Sequence, residues 1–284
     1  MAAPQFVLTL SCPDRRGIVA GVSHFLLENG CNITESAQFG DPSKQRFFLR
    51  TAFQSEEYRP LQDLRRAFKP LVAEFQMQAG IFDCAVRTRA LILVSRLGHC
   101  LADLLYRHRI GAIGIEIPLI VSNHTDLSDV VTAHGIPFRH MPVSASDRMD
   151  QADALLSLVR AERIDLIILA RYMQILPPPV CAAMRGRIIN IHHSFLPSFR
   201  GARPYHQAHI RGVKLIGATA HYVTDELDEG PIIEQAVARV SHASAISDLV
   251  ATGRDIESLV LARAVKWHAE HRILLDDNRT IVFN

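Results

Sequence analysis

The chain has 284 residues, enough for one or two domains. Hydrophobic residues make up 48% and charged residues 21%, an ordinary globular balance that supports a sizeable core without disulfides or metals. Thirty-one basic residues against 29 acidic ones give a formal net charge of +2, too even for nucleic acid or a membrane surface to be the main partner.

Phe6-Val7-Leu8-Thr9-Leu10 reads as a strand, and Cys12 to Gly17 as a turn in which Asp14 is placed to cap the next helix. Ile18, Val19, Val22, Phe25 and Leu26 recur at helical spacing, and Gly30 marks the helix end. Strands at Cys31 to Gln38 and Phe47 to Phe53, a helix over Leu61 to Phe75 and a strand near Gln76 to Phe82 complete a βαββαβ order, a ferredoxin-like unit. The polar stretch Arg87-Thr88-Arg89 is the expected linker, which divides the chain into 1–86 and 87–284.

Beyond it the pattern becomes alternating β and α. Ala90 to Val94 is a continuous apolar run, as in a strand buried on both faces. A helix through Leu101, Leu104 and Leu105 follows, then strands at Leu119 to Val121, Phe138 to His140, Leu166 to Leu169 and Ile188 to Ile191. The helices between them are expected at Leu127 to His134, Gln151 to Arg160 and after Pro179. This is an α/β fold with a mostly parallel, doubly wound sheet. Leu215 to Tyr222 and Ile232 to Val240 have no helix between them and are expected to pair antiparallel. A helix around Ser258 to His271 and a short tail close the chain.

The five cysteines, Cys12, Cys31, Cys84, Cys100 and Cys181, contain no C-x-x-C, which favours free thiols in a reducing compartment over disulfides or zinc. The opening residues show no signal peptide, and the apolar runs are too short to cross a bilayer. A cytoplasmic protein is expected.

Ligands of open α/β sheets collect at the carboxyl ends of the strands. Asn190 and His192 are two apart on such an end, so they share a face, while His193 should point away. An amide N–H and a ring N–H aimed at one spot suit a developing oxyanion. The loop from His221 to Gly230 carries Asp225 and Asp228, carboxylates able to orient a nucleophile and take its proton, with His221 in support. Ser194 lacks a nucleophile-elbow sequence, and the paired histidines lack a third ligand at metal spacing, so no metal is expected.

The run Asn190-Ile-His192 with Ser194-Phe-Leu-Pro-Ser-Phe, and Asp228 within His221-Tyr-Val-Thr-Asp-Glu-Leu-Asp-Glu-Gly, resembles the folate-dependent formyltransferase family over about Arg89 to Val240. The resemblance implies a catalytic set of Asn190, His192 and Asp228, supported by His221. It implies 10-formyltetrahydrofolate as substrate, with no separate cofactor. It also implies a pterin pocket from Arg171, Tyr172, Met173, Gln174, Ile175 and Leu176, plus the loop holding Asp225 and Gly230. Gln174 stands where some relatives carry Arg. The first unit resembles an ACT domain. That implies a homo-oligomer with an amino-acid effector near Asp14, Gly17, Ile18 and Asn32.

An ACT domain ahead of a formyltransferase-like domain resembles the folate deformylases. Their water acceptor implies release of formate for one-carbon metabolism and purine biosynthesis. Two alternatives stay open here: formyl transfer to an amine such as glycinamide ribonucleotide, and an amino-acid sensor with a vestigial catalytic domain. The loop Ser95 to Leu101 has a single glycine, which weighs against a nucleotide phosphate cradle, although Arg96 and His99 could hold an anion.

Overall fold

The computed structural model describes residues 4–55, 59–143, 148–196 and 204–284. The chain forms two compact units.

The first unit begins with β1 (Gln5–Pro13), α1 (Ile18–Glu28), β2 (Cys31–Asp41), β3 (Arg46–Ser55), α2 (Leu61–Phe75) and β4 (Gln78–Asp83). Its antiparallel sheet has the order β2-β3-β1-β4. The two helices bury Ile18, Val22, Phe25, Leu26, Leu64 and Phe68 against one sheet face. Two local expectations change. Cys12 and Pro13 continue β1, because Cys12 to Pro13 stay paired with Phe47 to Arg46. The N-cap of α1 is Gly17, at φ 97, and no side chain caps it, so Asp14 does not have that role.

Residues 270–276 and 281–284 also belong to this unit, so the division at 86/87 does not hold at the C-terminus. The tail makes the short strands β12 (Ile273–Asp276) and β13 (Arg279–Val282). Leu274, Ile281 and Phe283 pack on Phe48 and Ala37. Four-residue strands are too short to show a period of two, which is why the sequence reads as a plain tail there.

The second unit starts at Thr88. The expected linker residues Thr88 and Arg89 already pair with Ile115 and Glu116 as the first two residues of β5 (Thr88–Val94). Then come α3 (His99–Arg109), β6 (Ile115–Ser122), α4 (Ser128–Thr132), β7 (Phe138–His140), α5 (Arg148–Ala161) and β8 (Leu166–Leu169). They are followed by α6 (Pro178–Ala183), β9 (Ile188–His192), α7 (Pro204–Ile210), β10 (Leu215–Tyr222), β11 (Ile232–Arg239) and α8 (Ile246–Ala269). The seven strands lie in the order β11-β10-β9-β8-β5-β6-β7. The pairs among β5 to β9 are parallel, and β10 is antiparallel to both neighbours, as the helix-free connection to β11 requires. The chain moves outward from β5 to β7 and then restarts at β8 on the other side of β5. That reversal opens the crevice where α/β ligands bind. No helix among the described residues is long and apolar enough to cross a membrane.

Candidate active site

A cavity of about 520 Å³, a typical volume for a small-molecule site, lies at the ends of β8, β9 and β10. Asn190 and His192 reach it from the end of β9, as the two-residue period predicts. His193 lines the same cavity, which corrects the expectation that it points away. The strand ends at His192, so alternation no longer applies, and the two rings stack with centroids 5.1 Å apart. Burial first, then the Arg171 and His192 charges, push His193 down to about 4, so it is neutral at neutral pH.

Sheet register supplies the next partner. Asn190 lies directly opposite His221 on β10, and the β10–β11 register shifts between Ala220 and His221. Such irregularities re-aim side chains beside functional sites. Asn190 Nδ2 and His221 Nε2 are 3.1 Å apart, and His221 Nδ1 is 3.0 Å from the Tyr222 carbonyl. A carbonyl only accepts, so Nδ1 carries a proton, and in that tautomer Nε2 accepts from the Asn190 amide. One Asn190 N–H is thereby engaged and the amide plane is set.

Asp228 arrives from the loop after β10. Its Oδ1 is 3.3 Å from His192 Nδ1 and 3.7 Å from His221 Nε2. Hydrogen bonding to His192 holds its carboxyl well below the usual range, against its burial. The ionised carboxylate accepts from His192 Nδ1–H, so Nε2 is the ring nitrogen left to carry a lone pair. That nitrogen is buried without a partner among the described residues. Asp228 has φ 60, an uncommon conformation for a side-chain-bearing residue and one that concentrates at functional sites. Gly230 makes the turn possible, since a Cβ there would stand 1.7 Å from the Tyr222 carbonyl oxygen. Gly230 does not line the cavity; it shapes the loop that does.

Arg171 to Leu176 form another wall, and Asp225 completes the loop side. Tyr172 and Leu176 are anchored in the core, while Met173 and Ile175 are exposed. The Met173 N–H donates to Ser95 Oγ, and Ser95 Oγ donates to Asn123 Oδ1, which fixes the segment on the strand ends. Arg96 is exposed, whereas His99 turns onto Glu257 at 2.7 Å, so the two do not form a joint anion site. Residues 197–203, part of the sequence motif, lie outside the described residues.

The four effector-site candidates of the first unit do not meet within one chain. Asp14, Gly17 and Ile18 follow the Pro13 end of β1, which pairs with Arg46. Asn32 pairs with Gln54, at the other end of β3. An eleven-residue helix separates them, a rise of about 16 Å. Ile18 is also buried in the core.

Glu257 escaped the sequence reading because the helix was expected to begin only at Ser258. A charged residue four positions after Gly253 in an otherwise apolar stripe was the available signal.

Comparison with known proteins agrees with this geometry. Residues 88–265 match the formyl transferase family model. A formyltetrahydrofolate deformylase of Corynebacterium sp. (strain P-1) is 47% identical over 279 residues, covering 98% of each chain. The crystal structure of formyltetrahydrofolate deformylase from Burkholderia mallei ATCC 23344 superposes with a TM-score of 0.95 at 51% identity, covering 99% of this chain and 100% of that one. Glycinamide ribonucleotide transformylase 1 from Symbiobacterium toebii matches at 31% identity and a TM-score of 0.66, covering 95% of that protein but only 70% of this chain. Similarity that runs through both units, at this level of identity, places the chain in the formyltetrahydrofolate deformylase family.

Proposed function

We propose that this protein is a cytoplasmic enzyme that hydrolyses 10-formyltetrahydrofolate to formate and tetrahydrofolate, supplying formate to one-carbon metabolism and purine biosynthesis. The observation that carries this reading is similarity to deformylases across both units, where the transformylase match covers only 70% of the chain. No cofactor enters the scheme.

In this reading the pterin lies along the Arg171 to Leu176 wall, with apolar Met173 and Ile175 against its ring and Gln174 and Asp225 at its polar edge. The formyl group reaches Asn190 and His192. Water attacks the formyl carbon and its proton passes to His192 Nε2. Asp228 stabilises the imidazolium through Nδ1–H, as orienting carboxylates do. This moves the base role from Asp228 to His192, because a carboxylate held far below its ordinary pKa is a poor proton acceptor near neutral pH. The second Asn190 N–H meets the oxyanion, joined by the new Nε2–H of His192. The C–N bond then breaks, His192 returns its proton to the leaving nitrogen, and formate separates with one proton released to solvent. His221 acts through Asn190 and is a positioning residue.

The ACT-like unit takes an amino-acid effector in a homo-oligomer. Asp14, Gly17 and Ile18 of one copy would face Asn32 of another, since the two groups stand at opposite ends of one sheet.

The direct test is formate release from 10-formyltetrahydrofolate in buffer, with and without glycinamide ribonucleotide. Equal yields of formate and tetrahydrofolate without any amine are expected. Release only after the amine is added would make the chain a transferase.

A further inference from the structure

Beside the catalytic trio the second unit buries another charged cluster. Glu257 on α8 is 1% exposed. His99 Nε2 donates to its Oε2 at 2.7 Å, Tyr205 Oη donates to its Oε1 at 2.7 Å, and Arg171 Nε stands 3.3 Å from Oε2. Burial raises the Glu257 pKa, but the His99 hydrogen bond, the Arg171 charge and the Tyr205 hydroxyl outweigh it, and the carboxyl ends below its ordinary range. Gly253, one turn earlier, is what lets Tyr205 reach it: a Cβ there would lie 2.1 Å from the Tyr205 hydroxyl. A mid-helix glycine costs about 1 kcal/mol against alanine.

A metal does not suit this place. His99, Cys100 and Glu257 do come within 4.8 Å of one another. Burial, and then the Glu257 charge, push the Cys100 thiol far up, away from the thiolate that metals bind, and the Arg171 guanidinium already answers the carboxylate.

Arg171 differs from the rest of its cluster. It is 9% exposed, has φ 62, and lines the substrate cavity. Among the described residues its only partner is Glu257, and Nε makes no well-aligned hydrogen bond. A guanidinium is a planar fork of five N–H donors suited to carboxylates. It shares that cavity with His192 and His193.

We propose that Arg171, positioned by Glu257, is a subsite for a small carboxylate and holds the formate product after the C–N bond breaks. The inference rests on the hydrolase reading. Hydrolysis turns a neutral formyl amide into an anion beside ionised Asp228, which repels it. Among the described residues Arg171 is the one arginine that lines the same cavity, and its Nε has no hydrogen-bond partner. Its burial favours a one-carbon anion over the larger carboxylates of a folate tail. Neutral His193 can share the site without adding a competing charge.

The test is inhibition by sodium formate at matched ionic strength, in the native full chain, Arg171→Met and Arg171→Lys, with tetrahydrofolate as the control inhibitor. Arg171→Met is expected to weaken formate inhibition about 10–100-fold, the loss of a charge-assisted carboxylate contact. Arg171→Lys should recover part of it, and inhibition by tetrahydrofolate, whose pterin shares the Arg171 to Leu176 wall, should change less than inhibition by formate. Glu257→Gln should weaken formate inhibition in the same direction, a second route should Arg171→Met fail to fold. Formate inhibition equal in native chain and Arg171→Met overturns the proposal. So does a rise in the KM for the folate with formate inhibition unchanged, which assigns Arg171 to the folate's own carboxylates. Line broadening of ¹³C-formate by the native chain, lost in Arg171→Met, reads the subsite without turnover. That readout separates failure of the subsite from failure of the hydrolase reading, which absence of formate release from 10-formyltetrahydrofolate would show.

Discussion

Two buried arginines, one in each unit, show how burial alone fails to tell structure from function. Arg50 on β3 is 4% exposed. Its Nη1 lies 3.2 Å from Glu35 and its Nη2 donates to the Glu270 carbonyl at 3.1 Å. Arg272 from the tail also donates to Glu35 at 3.0 Å, to the Glu270 carboxylate and to the Phe283 carbonyl. The hydrogen bond from Arg272 and the Arg50 charge hold Glu35 below its usual range, against its burial. Each charge there meets a partner, and the set ties β2, β3 and the tail together. Arg171 has one carboxylate partner and opens on a cavity. A buried cation paired within its own sheet and tail is a fastener; one that opens on a cavity is placed for a ligand.

The sharpest way to break this contrast is at the trio itself. Asp228→Asn should lower kcat on the order of 10³–10⁴-fold while folate still raises the melting temperature, because the amide no longer fixes the tautomer and charge of His192. Near-normal turnover would remove Asp228 from the mechanism. Asn190→Ala should lower kcat by about 10²–10³-fold with a small change in KM, the signature of a contact made to the oxyanion. An effect confined to KM would make Asn190 a binding residue.

The opposite outcome is expected of the fastener. Arg50→Met should destabilise the first unit by about 1–3 kcal/mol, read as a lower thermal midpoint, with kcat at low temperature unchanged. A fall in kcat without a loss of stability would dissolve the distinction drawn here.

The smallest effect concerns pH. Burial, then the Arg50 charge, push His271 down to about 4, and its ring stacks on Phe82 at 3.8 Å. Between that value and the unfolded value near 6.5 the unfolded chain binds more protons, so this residue's contribution falls as pH drops through the window. His271→Phe should flatten the pH dependence of the unfolding midpoint between pH 6.5 and 4. An unchanged slope would place the acid sensitivity elsewhere, with His193 the next candidate.

Local periodicity carries a long way in this chain. The strands of the first unit, the apolar run at Ala90, the antiparallel pair near the C-terminal side and the shared face of Asn190 and His192 all follow from patterns within a few residues. Where the strand ends, as at His193, the period has nothing left to predict. The distance between the effector candidates Asp14 and Asn32 is not legible in sequence either, because the helix between them carries them to opposite ends of the sheet.

The sequence by itself determined the two-unit order, the α/β alternation and which residue types could do acyl chemistry, because these rest on backbone propensity and side-chain composition. Only the tertiary structure decided which of those groups meet. Cross-strand register sets Asn190 against His221, the Gly230 turn brings Asp228 to His192, and α8 delivers Glu257 to Arg171 from 86 residues away (257 − 171). Partners that distant leave no local pattern, and the space between them is settled by packing.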